Sequence, residues 1–181
     1  MNILHLAFQT GISKKLPRTG WLMHKVKNPE SVAEHAFRVI VMAMSLAPFL
    51  DVDQNKLIKM AIIHDLGETS TGDLVVEKGR SIDKEAKKQK EKIEEKAVKE
   101  ILWEYGEEYA KLFHEMIQRK TKEALVFWEL DKLEMAIQAY EYQKAQKINL
   151  EEFIENADSH IRTPLLKDAL NELKNKIKQS K

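Results

Sequence analysis

Apolar residues recur along this chain at intervals of three and four, the period of an α-helix, and no convincing alternating strand pattern appears. The first such run covers residues 2–12, where Ile3, Leu4, Leu6, Ala7 and Phe8 are expected to face inward. Chain breakers follow in Leu16-Pro17-Arg18-Thr19-Gly20-Trp21 and continue to Asn28-Pro29. Ser31-Val32-Ala33-Glu34 then has the form of a capping box, opening a long apolar helix that Pro48 should kink or end. A third helix is expected from residue 53, stopped by Gly67. Residues 68–80 read as a loop around Thr71-Gly72-Asp73. Residues 83–102 predict a helix dense in Lys and Glu, with Ala86, Ile93, Ala97 and Ile101 as its buried stripe. Pairs such as Lys90-Glu94 sit four apart on what should be its solvated face. Further helices are predicted at 107–120, 122–144, 150–156 and 164–178, the last opening on Pro164, whose missing N–H is not needed there. The pattern therefore predicts an all-α fold, a single compact multi-helix domain over residues 1–181.

Four polar side chains interrupt the apolar faces of these helices. The run Leu57-Ile58-Lys59-Met60-Ala61-Ile62-Ile63 ends in His64-Asp65, with His64 on the face of Leu57, Met60 and Ala61. His35 shares a face with Val39, Met42 and Leu46, and Asp131 lies among Phe127, Trp128 and Met135. Taken singly, each has a plainer explanation: a hydrogen-bonded core histidine, or an aspartate that caps a loop or pairs with arginine. Burying an ionised carboxylate is expensive unless it is paired or binds a metal, and one shared cation would satisfy all four groups at once. Adjacent residues can both serve because a helix end lets side chains about 100° apart converge beyond the last turn. Two imidazoles and two carboxylates suit one divalent transition metal, Mn, Fe, Co, Ni or Zn, and without a thiolate the set does not choose among them.

Composition removes several alternatives. The 181 residues carry 30 Lys and Arg against 29 Asp and Glu, so no global field draws the chain to a nucleic acid polymer or an acidic membrane. The absence of cysteine excludes a disulfide framework and thiolate zinc sites. No secretory signal is readable, and the longest apolar stretch, 39–50, is shorter than the roughly 20 residues a membrane span requires. A cytoplasmic location is the expectation.

The order His35, His64-Asp65, Asp131 resembles the HD-domain superfamily of metal-dependent phosphohydrolases. Pro17-Arg-Thr-Gly-Trp21, Asn28-Pro-Glu-Ser-Val-Ala-Glu-His35, His64-Asp-Leu-Gly-Glu68, Thr71-Gly-Asp73 and Leu130-Asp131-Lys-Leu-Glu134-Met narrow the likeness. Together they resemble the 5′-deoxynucleotidase branch, that of HD-domain-containing protein 2 and the bacterial 5′-nucleotidases, and also the oxetanocin-like HD proteins. The resemblance implies hydrolysis of deoxynucleoside 5′-monophosphates to deoxynucleoside and phosphate by a metal-activated water. By position it implies His35, His64, Asp65 and Asp131 as ligands of one metal, with Glu68 as the catalytic acid/base beside Asp65. It further implies Arg18 on the phosphate, Asp73 on a sugar hydroxyl and Trp21 as the aromatic that selects the sugar. In the bacterial enzymes the arginine and tryptophan are adjacent, whereas Thr19 and Gly20 separate them here. A small nucleotide is the implied partner, and a homodimer the implied assembly. Another HD phosphohydrolase activity, on a phosphodiester or nucleoside triphosphate, is the alternative among enzymes. Diester cleavage more often uses two metals, and histidines are scarce here, His114 reading as an ordinary helix residue. A non-catalytic nucleotide-binding helical module would be marked by loss of a ligand or of Glu68, and neither is lost.

Overall fold

A computed structural model of the protein describes residues 2–74, 77–78, 81–82 and 84–179. The fold is all-α. Among the described residues the helices are α1 (Ile3–Ile12), α2 (Thr19–Met23), α3 (Val32–Leu46), α4 (Gln54–Ile63), α5 (Glu68–Thr71), α6 (Lys84–Leu102), α7 (Glu107–Gln118), α8 (Lys122–Gln146), α9 (Glu151–His160) and α10 (Pro164–Gln179). A two-residue antiparallel pair, β1 (Glu77–Lys78) with β2 (Ser81–Ile82), precedes α6.

The long helix α8, about 37 Å at 1.5 Å per residue, is the axis of the bundle. Helices α3, α4, α7, α9 and α10 pack around it. One continuous core joins Leu57, Met60, Phe113, Phe127, Leu130, Leu166 and Leu170, all fully or almost fully buried. Each such side chain contributes about 1.5–3 kcal/mol by leaving water. The polar residues His35, His64, Asp131 and Glu134 are buried in this interior as well.

The predicted start of α3 is present in full. Ser31 Oγ accepts from the Glu34 N–H while the Glu34 carboxylate accepts from the Ser31 N–H, closing the capping box. Leu16 and Val32 share a backbone hydrogen bond, and Arg18 N–H donates to the Glu30 carbonyl at 3.0 Å, which fastens the breaker-rich loop to this helix end. Pro48 ends α3 in a short 3-10 turn, Ala47–Phe49. By length and composition Val32–Phe49 is apolar enough to cross a membrane. Its His35 and Arg38, however, are committed to Asp131 and Glu134 of α8, as expected of a core helix.

Four expectations need correction. Helix α1 forms where predicted but buries none of its residues: Ile3, Leu4 and Phe8 are exposed, at 67%, 64% and 73%. Periodicity marks which face is apolar, not whether anything in the chain covers it. On α6, Ala97 and Ile101 are buried as expected, but Ile93 is exposed and Glu94 and Val98 are buried in its place. The buried stripe is turned by about one residue, because the carboxylate of Glu94 is directed at the Lys90 ammonium, which also pairs with Glu68. The predicted loop at 68–80 starts as α5, and within it 75, 76, 79 and 80 lie outside the described residues, as does the predicted helix start at 83. Helix α9 runs on to His160, four residues past its expected end.

Replacing Ser31 with Ala removes one arm of the capping box. The expected cost is about 1 kcal/mol of folding stability, read as a lowered urea midpoint with an unchanged m-value.

Candidate metal centre

Three helices deliver the four sequence-predicted ligands to one point. His35 lies in the first turns of α3, His64 caps α4, Asp65 follows in the turn, and Asp131 lies midway along α8. The donor atoms of His35, His64 and Asp131 all fall within 4.8 Å of one another. His35 Nε2 is 3.1 Å from Asp131 Oδ1 and 3.3 Å from His64 Nε2. Asp65 Oδ2 closes the group, 3.1 Å from His64 Nε2 and 3.7 Å from His35 Nε2.

The way the rings are held shows that this donor set fits a cation. His64 Nδ1 lies 2.8 Å from the Ala61 carbonyl, and His35 Nδ1 lies 2.5 Å from Glu134 Oε2. An Nδ1–H donated to these acceptors leaves each Nε2 as a bare lone pair. Two such lone pairs then face each other and two carboxylates in a buried space, an arrangement that repels itself unless a positive charge sits in the middle. The titration of the groups points the same way. Burial and Arg18 oppose charging His35, but Asp131 and Glu134 outweigh them and push it up to about 10. Despite burial, His64, Arg18 and His35 hold Asp65 well below the usual carboxylate range, and His35 does the same for Asp131. A cation would take the place of the proton that this negative charge retains on His35.

Glu134 had no assigned role from sequence, although it follows Asp131 by three residues and so shares its helix face. It is fully buried, and its second oxygen accepts from Arg38 Nε at 2.8 Å. Arg38 in turn reaches Glu141 and Gln138 on the same helix. Glu134 thus fixes both the tautomer and the angle of the His35 ring.

The centre opens on a cavity of about 170 Å³ lined by His64, Asp65, Asp131, Arg18, Glu68 and Asp73, among others. Arg18 Nη1 lies 3.3 Å from Asp65 Oδ2. Asp73 accepts the Thr19 N–H at 2.5 Å, and Thr19 Oγ1 donates to the Asp73 carbonyl, so the two loops that carry Arg18 and Asp73 are tied together. Gly72, at φ 77°, supplies the left-handed turn that ends α5 just before Asp73.

Glu68 is 4% exposed. Its Oε1 accepts from Lys90 Nζ at 3.0 Å, and Oε2 has no hydrogen-bond partner among the described residues. Burial first, then the charge of Asp65, push its carboxyl up to about 9 in spite of Lys90. Lys90 also pairs with Glu94 at 3.3 Å, and burial pushes Glu94 up to about 7. The Lys90-Glu94 pair, which read as solvated surface, is therefore part of the cavity wall. Gly67 makes this possible: a Cβ there would lie 2.7 Å from Glu94 Cβ and 2.9 Å from its Cα, so only glycine lets α6 approach this closely.

Trp21 does not meet the expectation of a sugar contact. It is 2% exposed, packed between Tyr142 and Phe153, with its indole N–H donated to Glu30 Oε1 at 2.8 Å, and it does not line the cavity. The two extra residues between Arg18 and Trp21 form the first turn of α2, which carries the indole into the core. His114 bonds Glu95 on the surface, away from the centre.

Glu134→Ala would leave the His35 ring without its acceptor. Divalent cation affinity, measured by calorimetric titration, is expected to fall about 10- to 100-fold while the helical circular dichroism spectrum is retained.

The HD domain family model matches residues 10–174. A 5′-deoxynucleotidase HDDC2 of Dictyostelium discoideum is 38% identical over 173 residues, covering 87% of this chain and 88% of that protein. The Schizosaccharomyces pombe 5′-deoxynucleotidase hdd1 is 32% identical, covering 88% and 82%. Among solved structures, a conserved hypothetical protein from Pyrococcus furiosus superposes with a TM-score of 0.77 at 36% identity, over 95% of this chain and 99% of that one. The PH0347 protein of Pyrococcus horikoshii OT3 gives 0.76 at 32% identity, over 94% and 97%. With the ligand order, the bundle and these relatives in agreement, the chain belongs to the HD domain family.

Proposed function

We propose that this metal-dependent HD-family hydrolase cleaves deoxynucleoside 5′-monophosphates to deoxynucleoside and phosphate. The observation that carries the reading is convergence: His64, Asp65 and Asp131 of the cation donors line one cavity together with the Glu68 carboxyl, Arg18 and Asp73. Its curated relatives that are named 5′-deoxynucleotidases support the same substrate class.

His35, His64, Asp65 and Asp131 would hold the cation. When bound, a divalent ion supplies Lewis acidity toward the phosphoryl group and lowers the pKa of water. The residues of the chain do the rest. Arg18, kept charged by Asp65 and Asp73 against its burial, compensates the charge on the phosphoryl oxygens. As the oxygen of water bonds to phosphorus and the P–O5′ bond breaks, Glu68 gives its proton to O5′, which leaves as the alcohol. The raised pKa of Glu68 keeps that proton available near neutrality. One proton of the attacking water returns to the Glu68 carboxylate, while the other stays on the phosphate released. Asp73 lies where a sugar hydroxyl can donate to its carboxylate. Trp21 acts from behind: its indole N–H holds the Glu30 carboxylate, and the Glu30 carbonyl accepts from the Arg18 N–H.

The exposed apolar residues support a homodimer as the assembled form. Ile3, Leu4 and Phe8 of α1, and Phe37, Val41 and Met44 of α3, form two such faces. Contiguous apolar surface of this kind marks contact with another molecule.

Phosphate release from deoxynucleoside monophosphates, diesters and triphosphates, with Mn, Co or Ni supplied, is the decisive assay. Monophosphate turnover is expected, abolished by chelator and by Asp131→Ala with loss of cation binding. Glu68→Gln is expected to keep cation binding and lower kcat by about 10²–10⁴. Absence of release from every deoxynucleotide would overturn the proposal. Light scattering should give twice the chain mass, and Phe8→Glu or Phe37→Glu should return the monomer. A wild-type monomer at micromolar concentration would refute the dimer.

A further inference from the structure

A second cavity, of about 220 Å³, opens beside the reaction cavity and shares Lys87, Arg119, Trp128 and Lys132 with it. The rest of its lining is Leu125, Glu129 and His160. Asp131, Trp128 and Leu125 follow one another at three-residue intervals on α8, so each step outward is about 4.5 Å of helix rise. From the cation site the surface therefore passes first to an indole and then to an aliphatic rim.

The shared wall is built of two flat groups held rigidly. The Arg119 guanidinium carbon lies 4.2 Å from the Trp128 ring centroid. Arg119 sits in the left-handed region at φ 51° where α7 ends, and its Nη1 donates to Glu91 Oε1 at 2.7 Å and to the Ile117 carbonyl at 2.8 Å. Trp128 donates its indole N–H to the Met116 carbonyl at 2.9 Å and meets Phe127 edge-on. Neither group has to be ordered when a ligand arrives. Nucleobases stack on guanidinium planes and aromatic rings, and such stacking is tolerant of base identity because every base has a π-face.

We propose that this second cavity is the nucleobase subsite, with the Arg119–Trp128 stack as its platform and Leu125 as its rim. The proposal rests on the nucleotidase reading and adds to it the residues that grip the base by its face. The cationic wall could also suit a second anion, and the test separates that case.

The measurement is the ratio of kcat/KM for deoxyadenosine 5′-monophosphate to that for deoxyribose 5-phosphate, which has no base. Arg119→Ala should lower the ratio about tenfold or more. Leu125→Trp, at a half-exposed position, should lower it in the same direction by filling the cavity, and it covers the case in which Arg119→Ala fails to fold. An unchanged ratio in both variants overturns the subsite. Calorimetry with deoxyadenosine and with inorganic phosphate gives an arm that does not depend on turnover. Deoxyadenosine should bind the wild type and lose affinity about tenfold in Arg119→Ala. Loss of phosphate affinity with no deoxyadenosine binding would make the cavity an anion site and refute the proposal. Hydrolysis of neither substrate by the wild type, with deoxyadenosine still bound, would refute the nucleotidase reading and leave the base subsite standing.

Discussion

The structure depends on two imidazole nitrogens, His35 Nε2 and His64 Nε2, being held 3.3 Å apart between two carboxylates in the middle of a bundle. Such a group is costly to bury, and its own charges do not balance without a cation or a proton at its centre. The surrounding elements exist in the form needed to impose it. Helix α8 supplies both Asp131 and the Glu134 that turns His35, and the end of α4 supplies His64 and Asp65 within one turn. Stability and chemistry are therefore set by the same contacts, since the helices that bury the core also compress the donor set.

Around that centre the chain sorts carboxyl groups by environment. Asp65 and Asp131, facing imidazoles and Arg18, are held ionised. Glu68, only three residues beyond Asp65, meets burial and the charge of Asp65 and keeps its proton toward pH 9. Divergent environments of this kind let one functional group stay ionised at one position and protonated at another. Gly67 is the backbone device that makes the difference, because it admits α6 to close contact and so encloses Glu68 with Lys90 and Glu94.

Charged side chains gather at the cavity, where short loops are tied together, whereas α1 and α3 carry exposed apolar residues. The loop that bears Arg18 is fastened at Leu16, Arg18 and Thr19 to three different neighbours, so its guanidinium is positioned by backbone as much as by its ion pair. The Arg119–Trp128 stack extends this rigid wall outward from the cation site.

Helical periodicity, the Ser31-Glu34 capping box, Pro48 and the polar interruptions at His35, His64, Asp65 and Asp131 were legible in the sequence because each reports a local rule or a violation of one. The bundle and the cluster of candidate donors follow from them. Tertiary structure alone decided what those rules do not encode. Whether the apolar face of α1 is covered, whether Lys90 and Glu94 meet water or Glu68, and whether Trp21 turns to the cavity or the core all depend on which elements lie alongside. Charge and hydropathy give a residue's cost of burial, but only the packing of distant segments determines which neighbour offsets that cost. Glu134 shows the difference: its spacing from Asp131 was in view, yet its role exists only because α3 brings His35 within 2.5 Å of it.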